Sequence, residues 1–394
     1  MRPERPDPWA WRARLLDHLA VAPRRETVAL AAARGRLLAT PLLAPDPLPA
    51  HPVAAMDGFA VRHADLGCEP LEVAAELPAR PGVPAPLPPG TAARIMTGAP
   101  IPAGADTVVP VEDSDARPTG PAPRRVRLRE TPRGRHVRTA GEEVSRGQVL
   151  AEAGDRVGAG LLGLAATLGI TTLPVWARPR LTVVATGDEL SGEEVPGAVR
   201  ESNGAMLRAV LEAEGAAVRT LRSGDDPDQL HRVLDGAARG ADLVVTTGGI
   251  SQGAVDVVKA ALGPRGTGTS RFVHLALRPG GPQGAGTLPG PSGTTVPVVH
   301  LPGTPVGALV GAQLFVRPLL PGADARPRRV DLTGTLPEIR PGTTTALPGR
   351  LRLGADGREA VEILEGSRLA PYGRAEMVVL LEGQERGSAL AIRL

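Results

Sequence analysis

Three times between residues 179 and 262 a short apolar run ends in a polar loop and gives way to a helical pattern. "RPRLTVVATGDEL" leads to the helical spacing of "NGAMLRAVLEAEGA". "AVRTLRSGDDP" leads to "PDQLHRVLDGAARG", and "ADLVVTTGGIS" leads to "DVVKAAL". Strands alternating with helices restrict this part of the chain to a parallel sheet with both faces covered. Ligands of such sheets bind outside the carboxyl ends of the strands. The motifs "TGDEL", "SGDDP" and "TTGGIS" all fall at those ends, so the chemistry is expected along one edge of the sheet.

The rest of the chain has a different pattern. At 394 residues it is long enough for two or three domains. The spacing of Leu, Ala and Val predicts helices over 8–20 and 25–39, and "ATPLLAPDPLPAHP" then breaks helix with repeated proline. Residues 52–134 read as short strands and turns, with Pro-rich loops at 81–90 and 115–125. Residues 141–170 read as turn, strand and helix. From about 325 onward helical spacing is absent, and "RVDLTG", "EAVEILEG" and "EMVVLLEG" predict a small β domain.

Composition excludes several function classes. Aromatic residues make up 2% of the chain, so the cores are built from Ala, Leu and Val and stacking platforms for bases are not expected. The net charge is +3, without a basic block, zinc-finger spacing or an RNP-like run, which argues against nucleic acid as a partner. Cys68 is the sole cysteine, which rules out an intrachain disulfide and a cysteine-rich metal site. The N-terminal segment lacks a continuous apolar core and no apolar run is long enough to span a bilayer, so a soluble cytoplasmic protein is expected. Lys259 is the only lysine; every other basic side chain of this Arg-rich sequence is arginine. A lysine persists best where the wide guanidinium fork does not fit, or persists by chance on an exposed helix face.

Four stretches carry candidate chemistry. Gly248 and Gly249 follow a strand, where backbone N–H groups can approach an anion. Asp188 and Glu189 lie at one strand end and Asp225 and Asp226 at the next. Asp256 precedes Lys259 by three residues, so the two can share a helix face. Carboxylates from separate strand ends beside a glycine loop suit Mg²⁺, which keeps several waters and needs only one or two of them. Singly, each acid is more often a helix cap or a solvated loop charge. In "LALRPGGP", Arg278 precedes a tight turn that can hold an oxyanion.

The series "AAMDGFAVR", "ARIMTGAPIPAGADTVV", "TGDEL", "ESNG", "TTGGISQGAVDVVK", "LRPGGP" and "LPGTPVGAL" resembles the molybdopterin molybdenumtransferase family (MoeA and the E domain of gephyrin) over essentially the whole chain. The resemblance implies a multidomain α/β plus β fold. Residues 1–45 and 135–175 would form a discontinuous linker domain and 46–134 an inserted β-rich domain. Residues 176–325 would form an α/β molybdopterin-binding domain with a central parallel sheet, and 326–394 a C-terminal β-barrel. It also implies a homodimer whose cleft draws on both subunits, with a molybdopterin adenylyltransferase and molybdoenzymes as further partners. The implied reaction inserts molybdate into adenylylated molybdopterin and releases AMP with Mg²⁺.

Carried over by motif, the catalytic residues are Asp57, Thr97, Glu189, Asp225, Asp256 and Lys259, with Glu189, Asp225 and Asp256 serving the metal. Ser202, Asn203, Gly248, Gly249, Ser251, His274, Arg278, Thr304 and Ser367 would bind substrate. The sequence also departs from the family pattern. The usual K-x-x-x-K-P-G-K-P is "HLALRPGGP", with His274, Arg278 and Gly281 in place of lysines, and Thr304 and Gly307 replace Asn and Ser of L-P-G-N-P-V-S. A histidine in a lysine's place makes the pocket's charge depend on pH near 6.5. Two other functions compete with the transferase: a non-catalytic relative that binds molybdopterin species or a partner protein, and an adenylyltransferase working from the α/β domain alone. Retention of the insertion and of the C-terminal domain argues against the second of these.

Overall fold

The computed structural model describes residues 5–67, 70–191, 199–251, 256–354, 357, 359–383 and 387–394. Cys68 and residues 252–255 of the "TTGGISQGAVDVVK" motif lie outside the described residues. The chain divides into two compact units, Thr27–Val175 and Met1–Glu26 with Trp176–Leu394.

In the unit Thr27–Val175 the central strand Gly58–Val61 is wholly buried and antiparallel to both neighbours, Thr91–Ile95 and Thr107–Pro110. Leu71–Leu77 and Arg125–Val126 complete five strands. A Cβ at position 58 would lie 2.0 Å from the Val109 carbonyl oxygen, so only glycine lets the strands close here. The helix expected over 25–39 does not form: Arg25–Ala29 is a strand and Leu30–Ala32 a single 3₁₀ turn. Distant backbone claims its N–H groups instead. Leu30 donates to the Thr171 carbonyl, Leu38 to that of Asp155 and Ala39 to that of Pro174, at 2.8, 2.9 and 3.0 Å. Tertiary pairing here overrides a weak local propensity.

In the other unit, the elements of the α/β domain are numbered from its own start. They are β1 (Arg180–Thr186), α1 (Asn203–Ala213), β2 (Ala217–Ser223), α2 (Pro227–Ala238), β3 (Leu243–Thr247), α3 (Val257–Leu262), β4 (Ser270–His274), β5 (Pro282–Pro289), β6 (Thr295–Leu301) and α4 (Pro305–Gly311). The strand order is β2-β1-β3-β6-β5-β4. β2, β1, β3 and β6 are parallel, while β5 runs antiparallel to both β6 and β4, so the sheet is mixed rather than purely parallel. Alternate side chains enter different cores. Leu181, Val183, Leu243 and Val245 pack with Leu207 and Leu211 of α1; Val184, Val244 and Val298 pack with Leu230 and Leu234 of α2 and Val258 of α3. This is the period-two pattern of a sheet covered on both faces. α2 begins where Asp226 accepts from the Gln229 N–H at 2.6 Å with Pro227 at its first turn, so Asp226 is a helix cap.

Beyond residue 325 five strands close into a barrel: Thr344–Leu353, Glu359–Ile363, Arg328–Thr333, Ser388–Arg393 and Met377–Glu382, the last pairing back onto the first. Val379 and Leu381 point into the barrel core while Val378 and Leu380 join the core of the α/β domain. The N-terminal helix Pro8–His18, capped by Asp7, adds Trp11 and Leu15 to that same core.

Candidate active site

Register builds the site. Thr186 lies opposite Ser223, Ala185 opposite Thr247, and Thr247 opposite Leu301. The loops after β1, β2, β3 and β6 therefore emerge along one edge, at the carboxyl ends, and enclose a cleft of about 500 Å³. Glu189, Asn203, Asp225, Gly248, Gly249, Ser251, Asp256 and Thr304 line it. Ser202, Lys259, His274, Arg278 and Ser367 do not. Sequence reasoning did not single out Thr186, Gly187, Thr247 or Gly303, which also line it.

The three carboxylates come from three loops. Asp225 accepts from the Asp188 N–H at 3.3 Å. Asp256 does not cap α3 with its side chain; its Oδ1 accepts from the Ser251 N–H at 3.0 Å and closes the loop after β3. Glu189 folds over Gly187, where φ is +140° and a Cβ would meet Oε2 at 2.4 Å. Among the described residues no three or more His, Cys, Asp or Glu side chains gather into a ready-made metal cluster. The donor set fits a hard cation that keeps its own waters and takes one or two carboxylates, which is how Mg²⁺ is held beside phosphates.

The glycine loop is built for close approach. Gly248 has φ +102°, and a Cβ there would lie 2.6 Å from the Thr186 carbonyl oxygen; Gly249 has φ +64°. The Gly248 N–H donates to the Leu301 carbonyl at 3.1 Å, so this amide holds the loop against β6 and is not spare for an anion. Asn203 is buried at the start of α1. Its Nδ2 donates to Thr247 Oγ1 and to the Gly303 carbonyl, both at 2.8 Å, and Thr247 Oγ1 donates to the Pro302 carbonyl at 2.8 Å. Asn203 thus ties the end of β3 to the loop after β6. Glu201 accepts from the Gly204 N–H at 2.7 Å and caps α1 in place of Ser202.

The cationic candidates sit outside this lining. The Lys259 ammonium donates to the Ser251 carbonyl at 3.4 Å and Asp256 accepts from the Ser251 N–H, so the two side chains meet the same residue through its two backbone groups. Arg278 is exposed. His274 is half-buried, and burial first, then the charges of Arg5 and Lys259, hold its pKa below the ordinary value. Gly281 does not have a positive φ; Gly280 does, at +103°. A Cβ at 281 would lie 2.7 Å from His274 Nε2, so the imidazole fills the space a side chain would take. Ser367 is exposed in the turn before the short helix Leu369–Tyr372.

In the other unit, the antiparallel register Gly58↔Ile95 brings "MDGFA" beside "RIMTGAP". Asp57 Oδ1 accepts from both the N–H and the hydroxyl of Thr97, each at 2.7 Å. The Thr97 amide, then its hydroxyl, hold the Asp57 carboxyl below its usual range. A second cavity of about 520 Å³ in this unit is lined by Pro52, Ile101, Pro102, Asp106 and Arg133 among others. Its one carboxylate, Asp106, is committed to Arg133 Nε at 2.8 Å and the His63 N–H at 2.7 Å, which leaves it no free acid–base group.

The architecture and the cleft define a class: an α/β domain of the molybdopterin-binding type carried with a β-rich unit and a barrel. Residues 182–322 match the family profile described as "Probable molybdopterin binding domain", and residues 10–169 match "MoeA N-terminal region (domain I and II)". The chain is 42% identical over 321 residues to molybdopterin molybdenumtransferase 2 of Mycobacterium tuberculosis, covering 78% of this chain and 77% of that one. It is 36% identical over 308 residues to the molybdopterin molybdenumtransferase of Synechococcus elongatus, covering 75% and 74%. The crystal structure of the molybdopterin biosynthesis MoeA protein from Pyrococcus horikoshii OT3 superposes with a TM-score of 0.78 at 21% identity, over 99% of this chain and all of that one, and shows the shared fold. The chain belongs to the molybdopterin molybdenumtransferase family.

Proposed function

We propose that the chain acts in molybdenum cofactor biosynthesis as a transferase that takes adenylylated molybdopterin and molybdate, places molybdenum on the dithiolene and releases AMP with Mg²⁺. The observation that carries the reading is the lining of the α/β cleft. Glu189, Asp225 and Asp256 face it, and among the described residues no basic side chain lines it. Three carboxylates repel a phosphate unless a cation stands between them, so an acidic cleft beside a glycine loop suits a metal–nucleotide. Mg²⁺, when bound, would supply Lewis-acid stabilisation of charge on the phosphate oxygens.

This chain's own residues do the rest. Asp225, Glu189 and Asp256 would hold the cation. Asn203 and Thr247 keep the walls of the cleft at fixed separation. Lys259 and Arg278, and His274 when it is protonated, would draw anionic substrate toward the cleft. Asp57, held ionised by Thr97 in the inserted domain, and Ser367 in the barrel would also serve the reaction. The proposal includes the four-part division 1–45/135–175, 46–134, 176–325 and 326–394. It also includes a cytoplasmic homodimer that receives its substrate from a molybdopterin adenylyltransferase and passes product to molybdoenzymes. Among the described residues no helix is long and apolar enough to cross a membrane.

The test is molybdate-stimulated, Mg²⁺-dependent AMP release by the purified protein, together with rescue of molybdoenzyme activity in cells lacking their own molybdenumtransferase. Asp256→Asn keeps an oxygen for the Ser251 amide and loses only charge. Its AMP release is expected to fall on the order of a hundredfold with the fold intact. Release at the normal rate by this variant removes Asp256 from the mechanism.

A further inference from the structure

The edge that carries the cleft holds a fourth acid that the cleft does not use. Gly187 and Glu189 line the cleft, but Asp188 between them does not. Its Oδ1 turns to the next loop and accepts from the Asp225 N–H at 2.9 Å. In return the Asp188 N–H donates to Asp225 Oδ2 at 3.3 Å. The two loops clasp each other, each through the other's carboxylate. Gly224 leaves the seat open: a Cβ there would lie 2.5 Å from Asp188 Oδ1. The register Thr186↔Ser223 sets both loops side by side at the strand ends, so the clasp spans adjacent parallel strands and is not a helix cap.

We propose that Asp188 is a positioning residue for Asp225, fastening the loop after β2 to the loop after β1 so that Asp225 and Glu189 face the cleft together. It touches neither substrate nor metal. The role needs an acceptor oxygen and not a charge, because both bonds of the clasp run between a backbone N–H and a carboxylate. That separates it from a metal ligand, which acts through its ionised oxygen. The inference rests on the proposed reading only in assigning a divalent cation to the cleft.

Mn²⁺, observed by electron paramagnetic resonance, serves as the probe of the full-length protein, and amide hydrogen exchange at Asp188 and Asp225 reports the clasp without any metal. Asp188→Asn keeps Oδ1 and is expected to bind Mn²⁺ within about twofold of wild type, with both amides still protected. Asp188→Ala is expected to bind Mn²⁺ roughly tenfold more weakly, the scale of losing an orienting partner of a ligand, with faster exchange at Asp225. Gly224→Ala, which displaces the carboxylate without removing it, is expected to reproduce the alanine phenotype. In turnover the alanine variants require more Mg²⁺ for half-maximal AMP release, and the asparagine variant does not. A loss in Asp188→Asn equal to that in Asp188→Ala makes the charge essential and overturns the proposal. So does wild-type Mn²⁺ binding in Asp188→Ala, or a wild type that binds no Mn²⁺. If the wild type binds Mn²⁺ but releases no AMP with molybdate, the transferase reading fails while the metal and exchange data still decide the clasp.

Discussion

His300 is wholly buried, with Thr246 Oγ1 at 2.8 Å from Nδ1, Ser270 Oγ at 2.9 Å from Nε2 and Phe272 stacked at 5.0 Å. Burial pushes its pKa down to about 3. In the unfolded chain the ring takes a proton near its ordinary value of about 6.5. The folded state therefore binds fewer protons between these values, and its contribution to stability is complete above about 6.5 and lost as pH falls toward about 3. Denaturation midpoints are expected to drop between pH 7 and pH 5 by an amount worth about 2 kcal/mol from this group. A His300→Gln variant, less stable at the outset, loses that slope. His274 follows the same sign from a half-buried position, because Arg5 and Lys259 add to the effect of burial. Its charge is lost at lower pH than that of an ordinary histidine, so the pH dependence of the pocket's charge expected near about 6.5 moves to more acidic conditions. The His274 ring also occupies the space beside Gly281. Gly281→Lys alone is expected to impair the protein, and His274→Ala to relieve it. A double-mutant cycle on stability reads that coupling, on the order of 1 kcal/mol; additive effects would remove the contact from the argument.

Among the elements, the loop after β3 shows most directly how backbone sets chemistry. Gly248 is at φ +102° with its amide tied to Leu301 and no space for a Cβ. Gly248→Ala is expected to destabilise the protein by more than about 1 kcal/mol, since strain at positive φ adds to the clash. It should also weaken Mg²⁺-dependent AMP release, measured beside a thermal melt. An unchanged melting temperature contradicts the geometry. The same loop and the "TGDEL" and "SGDDP" loops were legible in the sequence as strand ends, because short apolar runs and glycine-acid loops are local signals. Their division of labour was not. Asp226 and Asp225 are adjacent in the sequence, yet one caps α2 and the other faces the cleft. Asp188 and Glu189 divide in the same way, one clasping a loop and one lining the cleft. The segment 25–39 is the counterexample at this scale: its apolar spacing suited a helix, and non-local backbone partners made it a strand and a turn.

At the scale of the whole molecule the proposed homodimer makes a direct prediction: a C₂ assembly with an interface of roughly 2,000 Å² or more. Light scattering at micromolar concentration is expected to give twice the chain mass, and a monomer at that concentration counts against the shared cleft. Within the chain, tertiary contacts gather distant residues that no sequence window contains. Arg317, buried, bonds Glu214 and Gln313 side chains and the Arg393 and Asp324 carbonyls, tying the end of α1 to the last strand of the barrel. By itself the sequence determined the α/β alternation, the edge at which the chemistry sits, the β-rich character of both other parts, and the motifs that mark the family. Each of these depends on local periodicity, turn chemistry or residue identity over a few positions. Only the tertiary structure decided which acids face the cleft, that Gly248 spends its amide on β6, that Asn203 fastens the end of β3 to the loop after β6, and that the cations stand outside the lining. Those outcomes depend on strand register and on which backbone N–H groups are already taken, and both are fixed by partners tens to hundreds of residues away.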